Sequence, residues 1–164
     1  MKTLSGIIVL LFAASLCAAD VDFSGTWILN EEKSELPEIG RGPGGGRGFT
    51  PPDMVITQKK NKITVTRTFT GRDGGERTME TVYDLSGKTT KETTRRGTSK
   101  HTAKMDGNVL KIETVRTMER GDEKFEMVRN ATWTLADDGK GLVIETISDS
   151  PMGEIKAKAY YNKQ

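Results

Sequence analysis

From Met54 to the C-terminus, apolar side chains recur at every second residue rather than every third or fourth. The run "KITVTRTF" sets Ile63, Val65, Arg67 and Phe69 against Thr64, Thr66 and Thr68. "RTMETVYDL" sets Met79, Thr81, Tyr83 and Leu85 against Glu80, Val82 and Asp84, and "HTAKM" sets His101, Ala103 and Met105 against Thr102 and Lys104. "LKIETVRTM" collects Leu110, Ile112, Thr114, Arg116 and Met118; "FEMVRNATWTL" collects Phe125, Met127, Arg129, Ala131, Trp133 and Leu135. In "IKAKAYY", Ile155, Ala157, Ala159 and Tyr161 alternate with Lys156, Lys158 and Tyr160. Such alternation predicts antiparallel strands with one buried face.

Between the runs lie "KKNK", "TGRDGG", "LSGK", "MDGN", "ERGD", "DDGK" and "DSPMG", the residues that supply left-handed backbone to tight turns. With "SGTWIL" as the first, ten strands are expected, near 24–29, 53–59, 62–69, 76–85, 89–96, 98–105, 109–118, 124–135, 141–148 and 154–162. Nothing after residue 53 carries a helical period. A meander joined by short turns hides its edges best by closing. The expected fold class is all-β: a single up-and-down antiparallel β-barrel of about ten strands. One face is Thr, Lys and Glu and the other Ile, Leu, Met, Phe and Trp, the reverse of a lipid-facing barrel, so the chain is not expected to span a membrane.

The start of the chain is different. "MKTLSGIIVLLFAASLCAA" has a lysine, an apolar stretch and small residues before Asp20, the layout of a cleaved secretory signal. Residues 1–19 are expected to be a signal peptide, cut after Ala19, and residues 20–164 one barrel domain of a secreted or periplasmic protein. Leu16 directly before Cys17 is a poor fit to a lipoprotein signal, so no lipid anchor is expected. The remaining 145 residues hold no cysteine, which excludes disulfides, thiolate catalysis and Cys-based metal sites. Their 24 basic and 23 acidic side chains give no whole-molecule field for nucleic acid.

"ELPEIGRGPGGGRGFTPPD", residues 35–53, joins the first two strands. A phosphate-binding loop would be followed by a helix, whereas a strand follows here. Glycine and proline build no helix either, so a flexible loop is expected, with Arg41 and Arg47 at the barrel entrance.

Arg67, Arg77, Arg116 and Arg129 interrupt the apolar phase with charge. An interior guanidinium needs a carboxylate, a carbonyl or a ligand anion. Two readings stay open: anchors for an acidic amphipathic ligand, or side chains that reach solvent or pair with Glu80, Glu92 or Glu113. Tyr83, Phe125, Met127, Trp133 and Tyr161 would furnish apolar wall around Arg67, Arg116 and Arg129. His101 is the single histidine, too little for a dedicated zinc site, and neither a cofactor nor a metal is expected. Neither Gly-x-Ser-x-Gly nor Ser-x-x-Lys occurs, and the chain is not expected to be an enzyme.

"FSGTWIL", with Gly25-x-Trp27 on the first strand, resembles the opening motif of the calycin superfamily, the lipocalins and fatty-acid-binding proteins. "PPDMVITQKKNKITVTRTF" resembles the second hairpin of the fatty-acid-binding branch, "DGNVLKIETV" its seventh strand, "ADDGKGLVIET" its penultimate turn and strand, and "AYYNKQ" its last strand. The "FSGTW" start, Gly/Pro-rich first loop and Tyr-x-Lys-Gln end resemble a bacterial exported lipocalin-like family. The resemblance implies that Gly25 and Trp27 sit at the closed end of the barrel, with a basic side chain of the last strand across the indole; Lys158 is the candidate. It also implies an Arg-x-Tyr carboxylate clamp on the last strand. With Tyr161 as its tyrosine, the arginine position is Ala159 and the clamp is missing; with Tyr160, the position is Lys158; the apolar phase of Ile155, Ala157, Ala159 and Tyr161 favours the first.

Two functions follow as expectations. One is a monomeric, non-catalytic carrier that encloses a small apolar or acidic amphipathic molecule. The other is a barrel with a filled interior, acting through its loops as an envelope interaction module or protease inhibitor.

Overall fold

The computed structural model describes residues 21–37, 51–70, 74–94, 97–120, 123–150 and 153–164. Residues 1–19, expected to be a signal peptide, and the centre of the glycine-rich loop, 38–50, lie outside the described residues.

Ten strands follow one another: β1 (Gly25–Leu29), β2 (Met54–Lys59), β3 (Lys62–Thr70), β4 (Glu76–Asp84), β5 (Thr90–Thr94), β6 (Gly97–Asp106), β7 (Val109–Arg120), β8 (Glu123–Ala136), β9 (Gly141–Ser150) and β10 (Gly153–Lys163). They form one antiparallel sheet in the order β4-β3-β2-β1-β10-β9-β8-β7-β6-β5. Pairing of β1 with both β2 and β10 curls the meander into a nearly closed barrel. The seam falls between β4 and β5, where the Thr90 hydroxyl donates to the Val82 carbonyl at 2.9 Å. The all-β, ten-stranded, up-and-down barrel expected from the alternation is the fold observed.

Each ladder keeps one register from end to end, so the side-chain parity set in the sequence survives along every strand. The outward positions are largely Thr, Lys and Glu; among the apolar side chains that share this phase, Val55, Val82 and Ile147 are well exposed. Among the described residues no helix is long and apolar enough to cross a membrane.

The buried inward side chains gather toward the end where β2–β3, β6–β7 and β8–β9 turn: Trp27, Ile56, Ile63, Leu110, Trp133, Leu142 and their neighbours. Burying an aromatic or large aliphatic side chain contributes about 1.5–3 kcal/mol, so this end supplies most of the cohesion. Phe23, just ahead of β1, is inserted into it and meets Trp133 edge-on at 6.3 Å. Gln58 fixes that insertion: its Oε1 accepts from Phe23 N–H, its Nε2 donates to the Val21 carbonyl, and its own N–H is taken by Ser24 Oγ. The Trp27 indole N–H donates to the Phe23 carbonyl at 2.9 Å. The result is a plugged floor.

The flanks of the glycine-rich loop are held. Glu35 exchanges two backbone hydrogen bonds with Lys158, Leu36 packs on the core, and Asp53 Oδ1 accepts from Leu29 N–H. Within the stretch 35–53, Glu35 is tied to β10 through its backbone and Asp53 to β1 through its side chain.

Candidate functional site

Above the floor the inward face changes character. Starting from buried Ile63 and Val65, β3 brings Arg67 and then Phe69 onto the same side. On β4, buried Thr81 and Tyr83 are preceded by Met79 and Arg77. Beyond buried Leu110 and Ile112, β7 carries Thr114, Arg116 and Met118 inward, and β8 carries Phe125, Met127, Arg129 and Ala131 up to buried Trp133. The ladders set Thr114 opposite Arg129, Arg116 opposite Met127, and Met118 opposite Phe125. Arg129 is in turn opposite Ser148 on β9, whose hydroxyl stands 3.4 Å from its Nε.

Arg116 and Arg129 are therefore diagonal neighbours on adjacent strands, with Cα atoms roughly 7–8 Å apart. Arg67 reaches the same space from the other wall. Burial pulls the Arg129 guanidinium below its ordinary range; Tyr83 opposes that pull, while the charges of Arg67 and Arg116 add to it. Arg129 is exposed to solvent by its surface yet enclosed by protein on most sides. A side chain in a water-accessible lumen satisfies both descriptions. Arg67 and Arg116 are likewise half-buried, and among the described residues none of the three makes an ion pair. Glu80 and Glu113, the carboxylates expected to neutralise them, face outward.

A second polar group adjoins the first. His101 on β6 is 7% exposed and meets the Tyr83 ring edge-on at 5.4 Å. Its Nδ1 lies 3.0 Å from Thr114 Oγ1, and its Nε2 is buried without a hydrogen-bond partner, 3.8 Å from Glu92 Oε2. Burial holds the imidazole below its usual range; Glu92 opposes this and Arg67 reinforces it. Among the described residues no third metal-ligating side chain joins His101 and Glu92. Tyr161, buried on β10, has its hydroxyl pushed up to about 12, chiefly by burial, with Arg67 acting against the shift. It stays a neutral donor.

Toward the mouth the inward phase is apolar but uncovered: Phe69 and Met79 are each 40% exposed, and Met118, Phe125, Met127 and Ile155 are half-buried. Thus the barrel is filled at its floor, ringed by three arginines at mid-depth, and open above them. A recess on the outer wall, lined by Lys104, Lys111, Glu113 and Asn130, is separate from this lumen.

Of the residues singled out in the sequence, Arg67, Arg116, Arg129, Phe125 and Met127 share the open part of the lumen, whereas Tyr83, Trp133 and Tyr161 belong to its packed lower wall. Arg77 lies at the mouth end of β4 and makes interactions of its own. Lys158 is corrected. It lies outside, 3.2 Å from Glu145, and the ammonium over the Trp27 ring is that of Lys163, at 5.3 Å. Strand parity carries the reason: Lys158 shares the outward phase with Lys156, while Lys163 shares the phase of Ala159 and Tyr161. Gln58 and Phe23 carry no sequence signal as parts of the floor, and Glu92, expected as a possible partner of an arginine, stands beside His101 instead. "TKETT" contains no apolar residue from which to read a phase, so the sequence does not show that Glu92 faces inward.

No protein-family model matches the chain, and no curated protein sequence matches it. Among solved structures it resembles the zebrafish ileal bile acid-binding protein in complex with cholic acid, with a TM-score of 0.53 and 18% identity over 87% of this chain and 98% of that one. It resembles fatty-acid-binding protein 1 of Echinococcus granulosus with a TM-score of 0.54 and 18% identity, over 86% and 96% of the two chains. Secretory abundant heat soluble protein 4 of Ramazzottius varieornatus gives 0.55 and 16%, over 87% and 94%. At these identities the likeness establishes the fold alone, a ten-stranded antiparallel barrel matching calycin-like folds.

Proposed function

We propose that this protein is an exported, non-catalytic, monomeric carrier that takes a small acidic amphipathic molecule into its lumen. The observation that carries the reading is the inward trio Arg67, Arg116 and Arg129, without an ion-pair partner among the described residues, inside an apolar-walled barrel. An interior guanidinium without a counter-charge is costly, and a ligand anion removes that cost. The acid head group sits at the arginines, because the floor beneath them is filled by Trp27, Phe23 and Trp133. The tail points to the mouth, along Phe69, Met79, Phe125 and Met127. Ligand binding of the same general kind is stated for two of the structural neighbours, one in complex with cholic acid and one a fatty-acid-binding protein.

Thr114, His101 and Glu92 stand in the order of a hydroxyl–imidazole–carboxylate relay. The 3.8 Å gap to Glu92 is longer than a hydrogen bond, and burial leaves the imidazole a weak base. The carrier reading therefore assigns this group to the lining. The filled-barrel alternative fits the lower half of the lumen only. Export rests on the leader-like residues 1–19, and N-terminal sequencing of the secreted form is expected to begin at Asp20.

Native mass spectrometry of protein purified from its own host, without delipidation, tests the function. A bound species of a few hundred daltons with an acidic group is expected; repeated recovery of the empty chain would contradict it.

A further inference from the structure

We infer that the lumen is built for a head group carrying two negative charges, of the phosphate-monoester class, on an apolar tail. This rests on the carrier reading above and goes further, because it fixes the charge of the head group.

Charge balance comes first. The middle of the lumen holds Arg67, Arg116 and Arg129, and the one carboxylate turned toward the same space among the described residues is Glu92, beside His101. Three positive charges against one negative leave two positive charges to be met. The other ionisable groups nearby are committed elsewhere. Lys163 lies over Trp27 at the floor, Asp53 is exposed, holds Leu29 N–H and reaches the lumen only as the smallest influence on Tyr161, and Tyr161 keeps its proton. A monocarboxylate would leave one guanidinium facing another; a dianion leaves none.

Donor count points the same way. A carboxylate has two oxygens with about four acceptor sites, which one or two guanidinium groups fill. Here three guanidinium groups, each with up to five N–H donors, are turned into the barrel by strand parity, and Arg129 also stands 3.4 Å from the Ser148 hydroxyl. A terminal phosphate offers three oxygens, one for each arginine. Arg116 and Arg129 approach from adjacent strands and Arg67 from the opposite wall, an arrangement suited to a tetrahedral group rather than a planar one. Strand register turns all three toward the inside of the barrel, and Arg67 and Arg116 both act on Arg129 as like charges. The apolar mouth residues Phe69, Met79, Met118 and Phe125 then require a tail, which separates this ligand from free phosphate.

The test is displacement of a lumen-bound anilinonaphthalene sulfonate by ligands sharing one dodecyl chain, at pH 8 and below their micelle concentrations. Dodecyl phosphate, with about two charges at this pH, is expected to bind at least about tenfold tighter than dodecanoate, a difference of one charge-assisted contact. Its methyl diester keeps the tetrahedral phosphate with one charge and is expected to fall back to the dodecanoate level; inorganic phosphate is expected not to compete. In R129K and R116K the phosphate–carboxylate ratio is expected to shrink while dodecanoate still binds. Dodecanoate binding as tightly as dodecyl phosphate, or a diester as tight as the monoester, would overturn the dianion and leave the carrier standing. Inorganic phosphate competing as well as dodecyl phosphate would overturn the tail. Displacement by none of the dodecyl ligands would overturn the carrier reading itself.

Discussion

The Lys163 ammonium stands 5.3 Å from the centroid of the Trp27 ring, and its side chain fills the space that a Cβ at position 25 would occupy, with Cε 2.6 Å from that point. Gly25, Trp27 and Lys163 are thus one packing unit at the floor, joined through the ladder that sets Trp27 opposite Lys163. Gly25 also has a φ of +152°, which side-chain-bearing residues rarely adopt. Gly25→Ala is expected to cost about 1–3 kcal/mol, and Lys163→Ala about 0.5–2 kcal/mol. Combined, they are expected to cost less than their sum, because both displace the same ammonium. Urea unfolding of the three variants measures this.

Gln58 holds Val21, Phe23 and Ser24 across the floor through three hydrogen bonds. Gln58→Ala removes the two side-chain bonds and keeps the backbone one, so at about 0.5–1.5 kcal/mol each it is expected to destabilise by roughly 1–3 kcal/mol. Hydrogen exchange is expected to quicken at the Phe23 amide, while the β7–β8 ladder stays protected. Equal loss of protection throughout would mean that the plug is not a local device.

How far these features were legible in the sequence follows from where parity could be read. The strands, their order and the inward arginines came from alternation, since Ile63 and Val65 set the phase for Arg67, and Ala131 and Trp133 that for Arg129. Glu92 lies in a strand of threonine and charge, where both phases look alike. Gln58 was hidden because its partners Val21–Ser24 are about 35 residues away and outside any strand. Lys158 was misassigned although its phase was visible: the expected basic residue was taken by proximity to the aromatic end, and two-residue parity leads instead to Lys163. The uncovered inward side chains near the mouth had no sequence signal, because packed and open barrels share one alternation.

Arg129 separates affinity from stability. Its guanidinium has arginine neighbours and one long contact to Ser148, so Arg129→Met is expected to leave stability unchanged or raise it by up to about 1 kcal/mol. The same change is expected to weaken dodecanoate binding by about 10- to 100-fold, the loss of a charge-assisted contact. Parallel thermal melts and calorimetric titrations compare the two. A large loss of stability would show that the arginine is structural.

His101 gives stability a pH signature. Its folded-state pKa is depressed, mainly by burial, so the unfolded chain takes up the proton first. Stability from this group is full above the unfolded value near 6.5 and declines as pH falls through it toward the folded pKa. Urea midpoints are expected to drop between about pH 7 and 5, and His101→Gln is expected to flatten that fall. Asp22, whose carboxyl is lowered first by its bond with the Ser24 hydroxyl, stabilises at all pH above its unfolded value near 3.8 and loses that contribution only at lower pH, on protonation. The two windows are separable.

The claim that ligand enters the lumen and meets the arginines is tested most directly by nitrogen-15 NMR of the arginine Nε–H groups during titration with dodecanoate. Arg67, Arg116 and Arg129 are expected to shift together and saturate at one equivalent, while the amides of Lys104, Lys111 and Asn130 on the outer recess stay in place. Shifts confined to the outer recess, or none at the three arginines, would contradict it.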